Sequence, residues 1–131
     1  MNDETRVGAS AHILLVDDEP DQVEMYRMGL EAVGFGVTSA LTGAEALTRA
    51  RELHPDAIVL DVRLPDITGW EVCEVLKSDP ATSQIPVLIL TAAATPTLAA
   101  DSANAGCAGY LLKPCYPDQL AATLQALLAT A

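Results

Sequence analysis

The sequence predicts an α/β domain in which a parallel sheet carries helices on both faces. Three observations predict it. Short aliphatic runs (HILLV, AIVL and PVLIL) recur along the 131 residues, each about the length of a buried strand. Segments with apolar residues at helical spacing follow them, and a strand–helix repeat demands parallel pairing. The runs also end in polar residues, Asp17, Asp61 and Thr91, where interior strands would leave the sheet.

Each element has a local reason. His12–Val16 reads as the first strand and stops at the acidic Asp17-Asp18-Glu19. Pro20 suits a first helical turn, where its missing N–H costs nothing. Val23, Tyr26, Leu30 and Val33 then share one helical face, and Gly34 is placed to end it. Gly36–Ala40 is a weaker second strand. Thr42, with Glu45 three residues on, has the form of a capping box opening a helix that runs to His54. Ala57–Asp61 is the clearest buried strand, and the loop VRLPDIT leads from it to a helix from Gly69 to about Ser78. Pro86–Thr91 and Ala108–Leu112 are the fourth and fifth strands. Between them, TPTLAADSANAG offers one large apolar residue, Leu98, so its helix should be weakly anchored and mobile. Pro117–Ala129 closes the chain as an Ala/Leu helix. With no linker or low-complexity stretch, residues 1–11 read as a flexible lead-in and 12–131 as one domain.

Composition narrows the function. Half the residues are apolar, enough for a core, and only 4% are aromatic, so that core is aliphatic. Eighteen acidic against seven basic residues give a net charge of -11, which argues against direct binding of nucleic acid or an anionic membrane. No apolar run approaches the roughly 18 residues of a membrane span. The first ten residues lack the basic start and apolar stretch of a signal peptide. Cys73, Cys107 and Cys115 form no CxxC and no even set, so reduced thiols in a cytoplasmic protein are expected. No His/Cys spacing suggests zinc.

In a sheet of this kind, ligands bind beyond the carboxyl ends of the strands. That edge should gather Asp17, Asp18 and Glu19 from the first strand, Asp61 from the third, Thr91 from the fourth and Lys113 from the fifth. A single strand-end acid is ordinarily a solvated turn or helix cap. Three neighbouring carboxylates, however, repel one another unless a cation joins them. A hard, oxygen-seeking ion such as Mg²⁺ resolves the conflict and needs only one or two carboxylates plus a phosphate. Lys113 adds a point charge for a phosphoryl oxygen and Thr91 a hydroxyl donor.

The combination of Asp17-Asp18, LDVRLPD around Asp61, Thr91, and GYLLKP ending at Lys113-Pro114 resembles the receiver domain of two-component response regulators, chemotaxis-regulator-like, over about residues 12–128. The resemblance implies a flavodoxin-like (βα)5 three-layer sandwich with strand order 2-1-3-4-5. It implies that Asp61 accepts a phosphoryl group from a sensor histidine kinase or histidine phosphotransfer protein. Asp18 would bind Mg²⁺ (or Mn²⁺) directly, Asp17 directly or through water, and the Arg63 backbone carbonyl and Asp61 would complete the set. Thr91 and Lys113 would meet the phosphoryl group, and Tyr110 would turn inward on activation. The domain would then change its fourth-helix, fifth-strand and fifth-helix surface and dephosphorylate itself, a phosphoacceptor rather than an enzyme.

Two other readings stand beside it. A haloacid-dehalogenase-type phosphatase would carry a second acid two residues after the nucleophile, where this chain has Arg63. A degenerate receiver serving as a scaffold would have lost Asp61, Lys113 or the acidic pair. Arg63 itself reads either as a solvated rim residue or as a contact to the phosphoryl group or the attacking water. Cys115 stands where the family often has an aromatic, and Tyr116 is a candidate to fill that space. Cys73, Cys107 and Trp70 read as packing residues. From Ala92 onward only Asp101, Lys113 and Asp118 are charged, so the C-terminal face suits a small apolar protein partner rather than salt-bridged dimerisation. With no output domain after the fifth helix, the expectation is a stand-alone regulator or an excised receiver.

Overall fold

The most apolar runs take the interior of the sheet. In the computed structural model, which describes residues 11–129, β1 (His12–Val16), β3 (Ala57–Leu60) and β4 (Val87–Thr91) lie between two edge strands, β2 (Gly36–Ala40) and β5 (Gly109–Leu112). All five run parallel in the order β2-β1-β3-β4-β5. Every residue of β3 and β4 is buried, whereas β2 and β5 mix buried or half-buried with more accessible positions. The expected lead-in, residues 1–11, lies outside the described residues except for Ala11.

Five helices complete the repeat: α1 (Pro20–Ala32), α2 (Gly43–Leu53), α3 (Gly69–Ser78), α4 (Leu98–Asn104) and α5 (Pro117–Ala129). One face of the sheet packs Val23, Tyr26 and Leu30 of α1 and Leu120, Ala121 and Leu124 of α5 against Ile13, Leu15, Val59 and Leu88. The other packs Ala46 and Ala50 of α2 and Val72, Cys73 and Leu76 of α3 against Leu14, Ile58, Leu60 and Ile89. Alternate residues of each interior strand therefore feed opposite cores, as the two-residue period of a strand requires. Each fully buried Leu or Ile contributes about 1.5–3 kcal/mol of transfer free energy.

The strand ends differ by one residue from the sequence reading at Asp61, Pro86 and Ala108, all of which fall just outside the strands. Gly34 follows α1 with φ +103, the left-handed position expected of it. The capping box is corrected. Thr42 Oγ1 does accept from Glu45 N at 3.0 Å, but the Glu45 carboxylate accepts from Leu41 N instead of closing the box. The reciprocal box is at Thr68 and Glu71, with Glu71 N donating to Thr68 Oγ1 (3.2 Å) and Thr68 N to Glu71 Oε1 (2.9 Å). The first α2 amides, Gly43 N and Ala44 N, donate to the carboxylate of Asp66 in the β3–α3 loop, at 2.8 and 2.9 Å. As expected, α4 is slight: seven residues, with only Leu98 and Ser102 buried.

The sheet grows in one direction from β1 to β2 and in the other from β1 through β3. A crevice therefore opens at the carboxyl ends of β1 and β3, where two helices depart to opposite faces. Asp17 and Asp61 stand at that crevice.

Candidate functional site

Asp17 follows the last residue of β1, and Asp61 the last of β3. Both are buried, at 3% and 8% exposure. Their backbones extend the sheet pattern, Asp17 N donating to Ala40 O and Asp61 N to Val16 O. Each carboxylate accepts a local amide: Asp17 Oδ1 from Glu19 N at 3.0 Å, and Asp61 Oδ1 from Arg63 N at 3.1 Å. The second oxygens face one cation. Lys113 Nζ lies 2.6 Å from Asp17 Oδ2 and 3.1 Å from Asp61 Oδ2. Burial alone would pull the Lys113 ammonium down, but the Asp17 hydrogen bond and the charges of Asp61 and Asp17 outweigh it and hold it above the ordinary lysine value.

Lys113 comes from the end of β5 and is placed by its own backbone, whose N–H donates to Thr91 O at 2.9 Å. The Lys113–Pro114 peptide is cis. Thr91, 1% exposed, ends β4, and its hydroxyl oxygen accepts from Ala93 N at 3.1 Å. That leaves the hydroxyl hydrogen free to donate. Asp18 is exposed beside Asp17, and the Arg63 side chain is exposed on the rim. Tyr110 is 40% exposed on β5, facing outward with Leu112 at 44%. The edge thus brings together Asp17, Asp61, Thr91 and Lys113, with Asp18 and Arg63 at its margin and Tyr110 turned away.

The cation expected to reconcile the acids is, for Asp17 and Asp61, already Lys113. Among the described residues no group of three or more Asp, Glu, His or Cys side chains forms a ready-made metal cluster. The donors at this edge are carboxylate and carbonyl oxygens without competing sulfur or imidazole, a set that fits a hard divalent ion holding several waters.

Two features escaped the sequence reading, and the place of Tyr116 was left open by it. Tyr26 OH donates to Cys115 O at 2.8 Å, tying α1 to the loop after β5, a partner 89 residues away. Tyr116 does not fill the space near Cys115; it is 78% exposed, whereas Cys115 is buried. Gly69, buried at the start of α3, lies so close to the Asp61 strand end that a Cβ there would collide with the Asp61 carbonyl oxygen and stand 2.8 Å from Val62 Cα. The signal for Gly69 was present, since its position opens the helix after the Asp61 loop. Only the fold shows what it touches.

Beside Tyr26, Lys113 and Cys115, a cavity of about 530 Å³ opens between α1 and the β5–α5 loop. No helix among the described residues is long and apolar enough to cross a membrane.

Against known proteins, the response regulator receiver domain family matches residues 13–125. The chain is 38% identical over 116 residues to the DNA-binding response regulator MtrA of Mycolicibacterium smegmatis, covering 88% of this chain and 50% of that relative. The structure resembles chemotaxis protein CheY4 of Vibrio cholerae, with a TM-score of 0.84 and 33% identity, covering 90% of this chain and 98% of that one. It also resembles the signal receiver domain of a signal transduction histidine kinase from Syntrophus aciditrophicus, with a TM-score of 0.85, 32% identity, and coverage of 93% and 92%. The chain spans about half the length of the curated relatives it matches.

Proposed function

This chain belongs to the response regulator receiver domain family, and from that premise we propose that residues 12–131 act as a phosphorylation-controlled switch with Asp61 as phosphoacceptor. The observation that carries the reading is the pairing of a buried Asp61 carboxylate with Lys113 Nζ at 3.1 Å, beside Asp17 and the end of β4. A sensor histidine kinase or histidine phosphotransfer protein is the donor. An Asp61 oxygen attacks phosphorus, the O–P bond forms as the N–P bond to the donor histidine breaks, and the imidazole leaves to take up a proton.

Transfer of this kind has a loose transition state, so catalysis rests on placing charge and atoms rather than on further covalent steps. Asp17, Asp18, Asp61 and the Arg63 backbone carbonyl are the groups that would hold Mg²⁺, with Mn²⁺ as substitute. When bound, the ion neutralises and orients phosphoryl oxygens. Lys113 exchanges its Asp61 contact for a phosphoryl oxygen. Thr91 uses its free hydroxyl hydrogen on another. Thr91 sits opposite Leu112 in the β4–β5 register, and Tyr110 pairs with Ile89. A shift of Thr91 toward the phosphoryl group therefore opens room along β5 for Tyr110 to turn inward.

The altered α4–β5–α5 face is the output surface. Tyr110 and Leu112 are exposed there among few charges, which supports an apolar protein partner. This domain itself contacts neither nucleic acid nor membrane, and it works in the cytoplasm. Water later cleaves the acyl phosphate and resets it.

Incubation with acetyl phosphate and Mg²⁺, followed by intact-mass measurement, tests the reading. Wild type should gain one phosphoryl group that decays with time, and Asp61→Asn should gain none. An unmodified wild type would instead support a scaffold.

A further inference from the structure

Cys73 and Cys107 come from distant parts of the chain, yet their Sγ atoms lie 3.2 Å apart. Cys73 sits in the middle of α3 and is wholly buried; Cys107 lies in the connection between α4 and β5 and is half-buried. We propose that this pair is a dithiol modification site, which a hydroperoxide oxidises to an intramolecular disulfide joining α3 to the α4–β5 connection.

The geometry favours closure. A disulfide needs about 2.05 Å between sulfurs, so the pair has little more than an ångström to travel. Both ends are held in place meanwhile. Cys107 N donates to Ser102 O at 3.0 Å, and Cys73 Sγ packs 3.3 Å from Ala105 O. The third thiol has no part in this. Cys115 belongs to the core on the opposite face of the sheet, with Leu120 and Leu124, and the sheet separates it from the pair.

The two thiols have distinct roles. Cys107 is the one an oxidant can reach. The hydrogen bond from Cys73 lowers the Cys107 thiol below its ordinary value, with help from the Lys77 charge, and the same contact and burial push Cys73 up. A Cys107 thiolate attacks one oxygen of hydrogen peroxide. The S–O bond forms, the O–O bond breaks, and hydroxide leaves as water with a solvent proton. The Cys73 sulfur then attacks the sulfenic sulfur, the S–S bond forms, the S–O bond breaks, and the departing hydroxide takes the Cys73 proton as a second water. Two thiols lose two electrons, and the peroxide gains them.

The consequence falls on α4. Only Leu98 and Ser102 bury this helix, so a covalent tie three residues beyond its end restrains an element that is otherwise lightly held. The dithiol chemistry is independent of Asp61 and does not rest on the phosphoacceptor reading.

Hydrogen peroxide treatment of the native protein tests it, with trapping by N-ethylmaleimide in denaturant and mass spectrometry. Before alkylation wild type should be about 2 Da lighter, the mass of two hydrogens; after it the protein should carry a Cys73–Cys107 link with N-ethylmaleimide on Cys115 alone, and dithiothreitol should restore both thiols. Cys107→Ser should show no such loss. Hydrogen exchange of the amides of α4 should slow in the oxidised wild type. Cys73 and Cys107 both still alkylated, a link through Cys115, Cys107 driven to sulfinic acid without a link, or an equal loss in Cys107→Ser would overturn the site. Unchanged α4 exchange in the linked protein would overturn its restraining role.

Discussion

Lys113 Nζ stands 3.1 Å from Asp61 Oδ2 and 2.6 Å from Asp17 Oδ2, so one half-buried ammonium balances two buried carboxylates. Removing the cation leaves two like charges with little solvent, whereas removing one acid leaves an intact pair. Lys113→Met should therefore lose on the order of 3 kcal/mol of stability in metal-free buffer at neutral pH. Asp61→Asn should lose about 1 kcal/mol or less. Urea denaturation of both variants measures this; equal losses would contradict the shared-cation arrangement.

The same cluster predicts an alkaline limb. Burial opposes the Lys113 charge, but Asp17 and Asp61 raise its folded pKa above the ordinary 10.5. Its stabilisation is then complete below that ordinary value and is lost as pH rises through the raised one. Urea midpoints of wild type should fall across that window, and the gap to Lys113→Met should narrow. A constant gap would count against it.

Asp66 predicts an acid limb. The Ala44 and Gly43 amides at the start of α2 hold its carboxyl below the ordinary 3.8. A depressed carboxylate stabilises the fold above the ordinary value, and that contribution disappears as pH falls through the folded one. Asp66→Ala should lower the urea midpoint at pH 7, and the difference from wild type should shrink as the solution is acidified. Because Asp66 also tethers the β3–α3 loop, backbone amide shifts should concentrate at residues 43–44 and 62–68.

Gly69→Ala should cost about 1–3 kcal/mol, since the new methyl meets backbone that cannot rotate away. The affected carbonyl belongs to Asp61. Phosphorylation by acetyl phosphate should therefore slow by more than the loss of folded protein explains; a proportional loss would show that the contact is only structural.

Arg63→Asn should change the lifetime of the acyl phosphate with little effect on the urea midpoint, because the side chain is exposed at the rim two residues beyond Asp61. Decay followed by intact mass reads this directly, and identical decay rates would remove Arg63 from the chemistry.

The parallel architecture was legible because β3 is apolar throughout and β1 and β4 are apolar but for His12 and Thr91 at their ends, and parallel strands put all carboxyl ends on one edge. Asp17, Asp61, Thr91 and Lys113 followed from that rule. What stayed hidden was pairing across the chain. Nothing local to Asp66 announces that it bonds Gly43 and Ala44, nor that Tyr26 reaches Cys115. Cys73 and Cys107 likewise read as separate packing residues until the fold placed their sulfurs together. The helix start at Gly69 was legible as well, but the Thr68–Glu71 box that caps it went unremarked although its spacing was there to read. The role of Lys113 as a bridge, rather than a ligand to phosphate alone, depends on β1, β3 and β5 ending at one point.

Chemical mapping of the acyl phosphate tests the assignment of Asp61. Wild type treated with acetyl phosphate and Mg²⁺, then reduced with borohydride, should contain homoserine at position 61 and nowhere else. Homoserine at position 17 or 18, or none under conditions that phosphorylate another receiver domain, would contradict Asp61 as the phosphoacceptor.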